Sequence, residues 1–317
     1  MTSERYVCTL SQELQEKAKT ELFEKEEWRQ RDIDALRERV VKNNALTSGR
    51  RDAAFLVRFL RARKFDYERS YALLESYYRV RAQHPEVFHQ LTPSSVEHVY
   101  NDGVAQVLPK PDKFGRRIVY FRIKKWQPDK YSAHDVNKSA IMNLDHIIRD
   151  EATQVNGVVV IGNADGLTWE HAKNMGPEKS SIMPKVMQDA FPGRIKAMHI
   201  VNQPAIFSYV FNIVKPFLKE KMKSRFNFHG AQLDRLLTNS DFGLDESMLP
   251  AELGGSLPSG DELAQAWKKT IMAEEEYFVQ QLQYKMTLDR GISSQTTDAG
   301  VEGAKGVEGT FKRLNVD

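Results

Sequence analysis

The 317-residue sequence predicts an α/β protein: an N-terminal helical module followed by a largely parallel sheet. Three observations predict it. Residues 1–90 carry dense charge with apolar residues at helical spacing. Beyond residue 104, short strand-like runs alternate with helix-length segments, and such connections favour parallel pairing through right-handed crossovers. VVVI (158–161) is apolar on both faces, as a strand covered on both sides must be.

Each element has its own signal. Residues 10–42 read as one helix, with Leu14, Ala18, Leu22, Leu36 and Val40 in phase and no proline or glycine. KNNALTSGR (42–50) reads as a loop. Asp52 is the expected N-cap of AAFLVRFLRARKF, and Asp66 that of YERSYALLESYYRVRAQ, in which Tyr71, Leu74, Tyr78 and Arg81 share a face. VAQVLPKPDKFGRRIVYFRI has two strand-like arms around a turn. HDVNKSAIMNLDHIIRDEATQ reads as a helix closed by Asn156-Gly157. Pro177 opens PEKSSIMPKVMQDA, where Pro184 is expected to shift or kink the helix. Pro192-Gly193 leads into the strand IKAMHIV, Pro204 opens the next helix, and FNFHG (226–230) is a last short strand. ELAQAWKKTIMAEEEYFVQQLQYKM reads as an amphipathic helix. The divisions are a helical module over 1–95, a sheet-containing domain over 96–285 and a Gly-, Ser- and Thr-rich tail over 286–317, expected to be disordered.

Composition narrows the function. A net charge of +3 is too small to imply nucleic acid. A single cysteine, Cys8, permits no internal disulfide and fits a reducing cytosol. MTSERYVCTLSQELQ lacks a basic start followed by an apolar stretch, so no secretory leader is expected. Neither G-x-G-x-x-G nor a Walker sequence occurs, and GNADG (162–166) reads as a turn. There is no G-x-S-x-G elbow. Cys8 lies in a segment expected to be mobile, a poor place for a nucleophile. No histidine spacing suits a metal, and His199 and His229 read as hydrogen-bonded structural residues. Asp145 and His146 diverge on a helix. The expectation is a binding protein with no catalytic residue, cofactor or metal.

PAIFSYVFNIVKPFLKEKMKSRF (204–226) points to what is bound. On a helix, Phe207, Val210, Phe211, Val214 and Leu218 form one stripe, while Ile206 and Ile213 widen it. A helix apolar almost all round is doubly packed or faces something other than water. Pro216 favours a break between 212 and 216. Arg194, Lys196, Lys215, Lys219, Lys221, Lys223 and Arg225 follow with Glu220 as the sole acid between 194 and 225. Arg194 and Lys196 share a strand face, and Lys221 and Arg225 share a helix face, so two elements could converge on one anion. Near an anionic leaflet each such charge contributes about 1 kcal/mol.

These residues resemble the CRAL-TRIO (Sec14-like) lipid-transfer family over about 12–285. The resemblance rests on FLVRFLRARKFD with YYRVR, on DKFGRRIVYFRIKKW, on ATQVNG, on DAFPGRIKAMHIVNQPAIFSYVFNIVKPFLKEKMKSRFNFHG and on LPAELGG. It is strongest to the tocopherol-transfer and retinaldehyde-binding branches. It implies a sheet flooring a hydrophobic cavity, with the helix over 204–219 as its gate. It also implies a phosphatidylinositol bisphosphate cleft at Arg63, Arg194, Lys196, Lys221 and Arg225. Family pocket positions fall on Asn137, Ala140, Leu144, Val158, Gly162, Trp169, Val186 and Met187, where departures leave cargo identity open. The resemblance thus implies a cytoplasmic carrier, peripherally and reversibly membrane-associated. It would carry one small hydrophobic molecule (a retinoid, tocopherol or similar isoprenoid) and exchange it at phosphoinositide membranes, with a cargo-processing enzyme as a further candidate partner. The alternative is a phospholipid exchanger or phosphoinositide-binding trafficking adaptor.

Overall fold

The computed structural model describes residues 5–288, and the tail expected over 286–317 lies outside them from residue 289 onward. Four helices open the chain: α1 (Gln12–Leu22), α2 (Glu26–Lys42), α3 (Ala53–Ala62) and α4 (Tyr67–Gln83). Asp52 and Asp66 do cap α3 and α4. Each side chain accepts from a backbone N–H three residues on, at Phe55 and Arg69. Phe55, Phe59, Tyr77 and Tyr78 meet edge-on at the centre of this module.

The single helix expected over 10–42 is two helices. Phe23 adopts φ 60° and ends α1 by donating to the Ala18 carbonyl. Glu24, 3% exposed, then turns inward onto Arg61 at 2.8 Å and Arg29 at 2.5 Å. A buried carboxylate shared by two guanidinium groups offsets the roughly 1–2 kcal/mol that a left-handed non-glycine residue costs. Cys8 is not loose either. It is half-buried, its thiol 3.6 Å from Glu151, beside Leu10, Ala18, Leu22 and Val155.

Single turns α5 (Pro85–Phe88) and α6 (Glu97–Asp102) lead into the sheet. Its strands are β1 (Ala105–Val107), β2 (Arg117–Arg122), β3 (Val158–Asn163), β4 (Ile195–Val201) and β5 (Phe226–Phe228), in that spatial order. The two strand-like arms read from the sequence are β1 and β2, paired antiparallel, and β2 to β5 are parallel. The crossovers carry α7 (Ala133–Ile147), α8 (Glu151–Asn156), α9 (Trp169–Asn174), α10 (Pro177–Lys185), α11 (Phe207–Val214) and α12 (Glu220–Lys223). After β5 come α13 (Asp234–Thr238), α14 (Gly260–Met272) and α15 (Glu275–Gln281).

Two further expected helices are divided. The segment 134–154 breaks because Asp150 accepts from the Ala152 and Thr153 N–H groups and starts α8 afresh. The segment 262–286 breaks between α14 and α15. Pro184 lies inside α10, and a wide π-turn over Val186–Ala190 follows, closed by the Phe191 N–H on the Val186 carbonyl at 2.7 Å.

On the sheet's outer face, β4 and the end of β5 are tied by His199 and His229, whose ring nitrogens meet at 3.0 Å. That is the structural role read from the sequence. Burial pushes His199 down to about 3, helped by His229 and Arg116, and burial with Arg235 lowers His229. In the unfolded chain both titrate near the ordinary value of about 6.5. Between those limits the unfolded chain takes up protons that the folded chain refuses, so the pair's contribution is present above about pH 6.5 and is lost as pH falls. We expect the urea midpoint to drop from pH about 7 to about 5. Much of that drop should vanish in His199→Gln; equal pH slopes for the two proteins would refute the assignment.

Candidate functional site

The two sheet faces are packed unequally. On the outer face Ile118, Tyr120, Val159 and Ile161 are all 0% exposed, against Leu236, Leu249 and Leu253. On the inner face, Phe121 of β2, Val160 and Gly162 of β3 and Met198 of β4 are only half-buried, whereas Val119 and Val158 on the same face are buried. A Cβ built on Gly162 would meet a single atom within 4 Å outside its immediate chain neighbours, the Ile200 Cδ1 at 3.0 Å. Around Phe121, Val160, Gly162 and Met198 the inner face is therefore covered less completely than the outer one.

The apolar segment of 204–219 forms α11, a cover seated on β5. It is shorter than the helix expected over 204–219. It starts at Phe207 and ends at Val214, with Pro216 in a tight turn over Lys215–Phe217 and Leu218 extended at φ −94°, ψ 125°. Pro216 has no N–H to offer the Asn212 carbonyl, so the α-helix cannot run through it. Only Val210 of α11 is fully buried. Phe207 and Phe211 rest on Phe226 and Phe228 of β5, with ring centroids 5.2–5.9 Å apart. All but Phe228, 48% exposed, are half-buried. Such a helix is lightly seated.

Other expected pocket positions divide by depth. Leu144, Val158, Val186 and Leu218 are buried in packed core. Asn137, Ala140 and Val214 are half-buried. Trp169 is at the surface, 59% exposed, its ring 5.2 Å from that of Tyr209 on the outside of the cover. Met187 lines a different opening.

That opening is a cleft of about 360 Å³ between the helical module and the sheet domain. Arg63, Lys64, Arg69, Arg194, Lys219, Lys221 and Arg225 line it, with Asp189 as its one acid. Four of the five expected positions thus converge. Lys196 does not line the cleft: it and Arg194 both reach towards Glu21, at 3.8 and 3.7 Å, which does confirm that they share a strand face. Arg225 lies beyond the end of α12, so it and Lys221 meet through the fold and not along one helix. Lys64 and Arg69 were missed because the turn after α3 brings them in, and nothing in their spacing announces it.

The cations are crowded. Burial lowers Arg63, with Arg69 adding to the effect, and burial likewise lowers Arg194 and Arg225. Lys221 is lowered by burial and by Arg225, Arg69, Arg63 and Lys64. Lys196 is pushed down to about 8 by burial and Arg194. A polyanion placed among these groups would relieve their mutual repulsion.

The cleft is wired to the cover. Arg63 Nη2 donates to the Gln188 carbonyl at 3.4 Å. The Gln188 side chain donates to the Phe217 carbonyl at 2.9 Å and accepts from the Lys219 N–H at 2.7 Å. Lys219 Nζ pairs with Asp189. The extended Leu218 lies between these two contacts.

A lightly seated apolar cover beside a cationic cleft suits the binding of an amphipathic or lipid ligand. Comparison with known proteins gives the same class. The chain belongs to the CRAL/TRIO family of lipid-binding and lipid-transfer proteins: the CRAL/TRIO domain model matches residues 101–255 and a Pinta-like UBA domain model matches 25–98. An alpha-tocopherol transfer protein-like protein of Mus musculus is 43% identical over 276 residues, covering 87% of this chain and 79% of its own. Its Homo sapiens counterpart is 41% identical over 291 residues, covering 92% and 83%. Clavesin-2 of Rattus norvegicus is 32% identical over 268 residues, covering 84% and 80%. Among the described residues no helix is long and apolar enough to cross a membrane.

Proposed function

We propose that this protein carries one small hydrophobic molecule, a retinoid, tocopherol or similar isoprenoid, and exchanges it at phosphoinositide-bearing membranes. The observation that carries the reading is the contrast between the solid outer face and the half-buried inner face under α11. Apolar cargo there gains about 25 cal/mol per Å² of surface removed from water, with no chemistry required. The naming of the 43%-identical relative for tocopherol transfer supports the same cargo class.

Release follows from the wiring. A phosphoinositide headgroup entering the cleft competes with Asp189 for Lys219 and with the Gln188 carbonyl for Arg63. That loosens the clamp on Phe217 and Lys219 and shifts the population towards an open cover. Lys221 and Arg225 make no structural ion pair among the described residues, so Lys221→Ala with Arg225→Ala isolates docking from folding. Cargo binding in detergent should be unchanged, and transfer of tocopherol to phosphatidylinositol bisphosphate vesicles should slow about tenfold or more. Equal transfer to neutral and anionic vesicles would sink the docking step. The cleft alone would also suit a phospholipid exchanger or trafficking adaptor. Native mass spectrometry of the purified chain decides between them: an isoprenoid supports the carrier, whereas a phospholipid or an empty hollow supports the alternative.

A further inference from the structure

The corner between α1 and α2 presents an exposed aromatic ring beside the basic cleft. Phe23 is 62% exposed, yet its backbone is fixed at φ 60°. The neighbouring Glu24 holds it there, buried on Arg61 and Arg29. An inward-facing Glu24 leaves Phe23 facing out. Its ring lies 5.5 Å from the Lys64 Nζ, and Lys64 is itself a wall of the basic cleft. Lys64 and Phe65 are also in the left-handed region, at φ 58° and 56°. Such conformations persist only when surrounding structure imposes them, and they gather at binding sites. Two residues past Phe23, Lys25 sits 3.7 Å over the Trp28 ring, which is 43% exposed.

We propose that Phe23 is a wedge that enters the interfacial region of an anionic bilayer while the cleft beside it holds a headgroup. The partner is a lipid surface, because the apolar ring is continuous, through Lys64, with a cleft of seven cations and one acid. An aromatic ring flanked by lysine is suited to the boundary between headgroups and acyl chains. This proposal rests on the membrane-docking reading above and adds the surface that is inserted. It also assigns a purpose to a backbone strain that glycine would avoid.

The test uses the full chain on phosphatidylcholine vesicles with and without phosphatidylinositol bisphosphate. An environment-sensitive fluorophore on Phe23→Cys, in a Cys8→Ser background, should shift to the blue and be quenched by spin-labelled lipid on the phosphoinositide vesicles only. Phe23→Gly should weaken binding to those vesicles about tenfold. Because it relieves the positive φ, its urea midpoint should hold or rise; a merely structural Phe23 would lower both together. Phe23→Trp should restore binding. If the label keeps its aqueous spectrum while the unlabelled chain sediments with the vesicles, the wedge is refuted and docking through the cleft stands. If the unlabelled chain does not sediment with phosphoinositide vesicles, both are refuted.

Discussion

Arg61→Ala lowers the unfolding free energy by about 3–5 kcal/mol, the range for removing one partner of a buried ion pair. Arg61 is 0% exposed and is the joint between the helical module and the sheet domain. It holds Glu24 at 2.8 Å, Glu151 at 3.1 Å and Gln154 at 2.9 Å. Its removal leaves the buried Glu24 and the half-buried Glu151 each short of a cationic partner. Among the described residues Glu24 then keeps Arg29 alone, and Glu151 keeps its contacts to Cys8 and Thr9. The measurement is urea unfolding, with a lower midpoint at an unchanged slope. Adding Glu24→Gln and Glu151→Gln should recover part of the loss, because the cost is stranded charge. A loss below about 1 kcal/mol would place the network in water and refute the account. A functional consequence follows, since Arg63 and Lys64 sit two and three residues beyond this anchor. Phosphoinositide binding should weaken even where the chain stays folded.

Gly162→Leu weakens cargo binding about hundredfold and leaves the fold intact. Gly162 pairs with Phe121 and Ile200 in the centre of the sheet, under the cover. A central strand position with no side chain is normally a weakness. Here the open space above it explains why none is present. Leucine would project into that space and displace only the flexible Ile200 tip, so the fold should tolerate it. Cargo must then compete with a fixed side chain. We expect affinity for retinol and tocopherol, read by intrinsic ligand fluorescence, to fall about hundredfold, near the upper end of overpacking costs of about 1–3 kcal/mol. Val159→Leu, on the solid outer face, is the contrasting variant and should lower stability instead. Unchanged cargo affinity in Gly162→Leu would mean that the hollow over β3 is not the site.

By itself the sequence determined the local elements. Asp52 and Asp66 marked helix starts, Pro216 broke the cover helix, and VVVI, IKAMHIV and the first three residues of FNFHG became strands, with β3 running on into Gly162 and Asn163 of the expected turn. These depend on neighbours a few residues away: an N-cap, a missing N–H, a β-branched run. Tertiary structure decided where those signals gave way. No local feature ends α1 at Leu22. The break exists because Glu24 must reach Arg61, 37 positions along the chain. Lys64 and Arg69 joined the cleft, and Lys196 stayed out of its lining, because cations from three separate elements converge only when the helical module docks on the sheet. The less complete cover of the inner face, too, depends on what the helices leave unfilled. Val160 and Ile161 are adjacent and equally apolar, and only packing distinguishes a half-buried floor from a solid core.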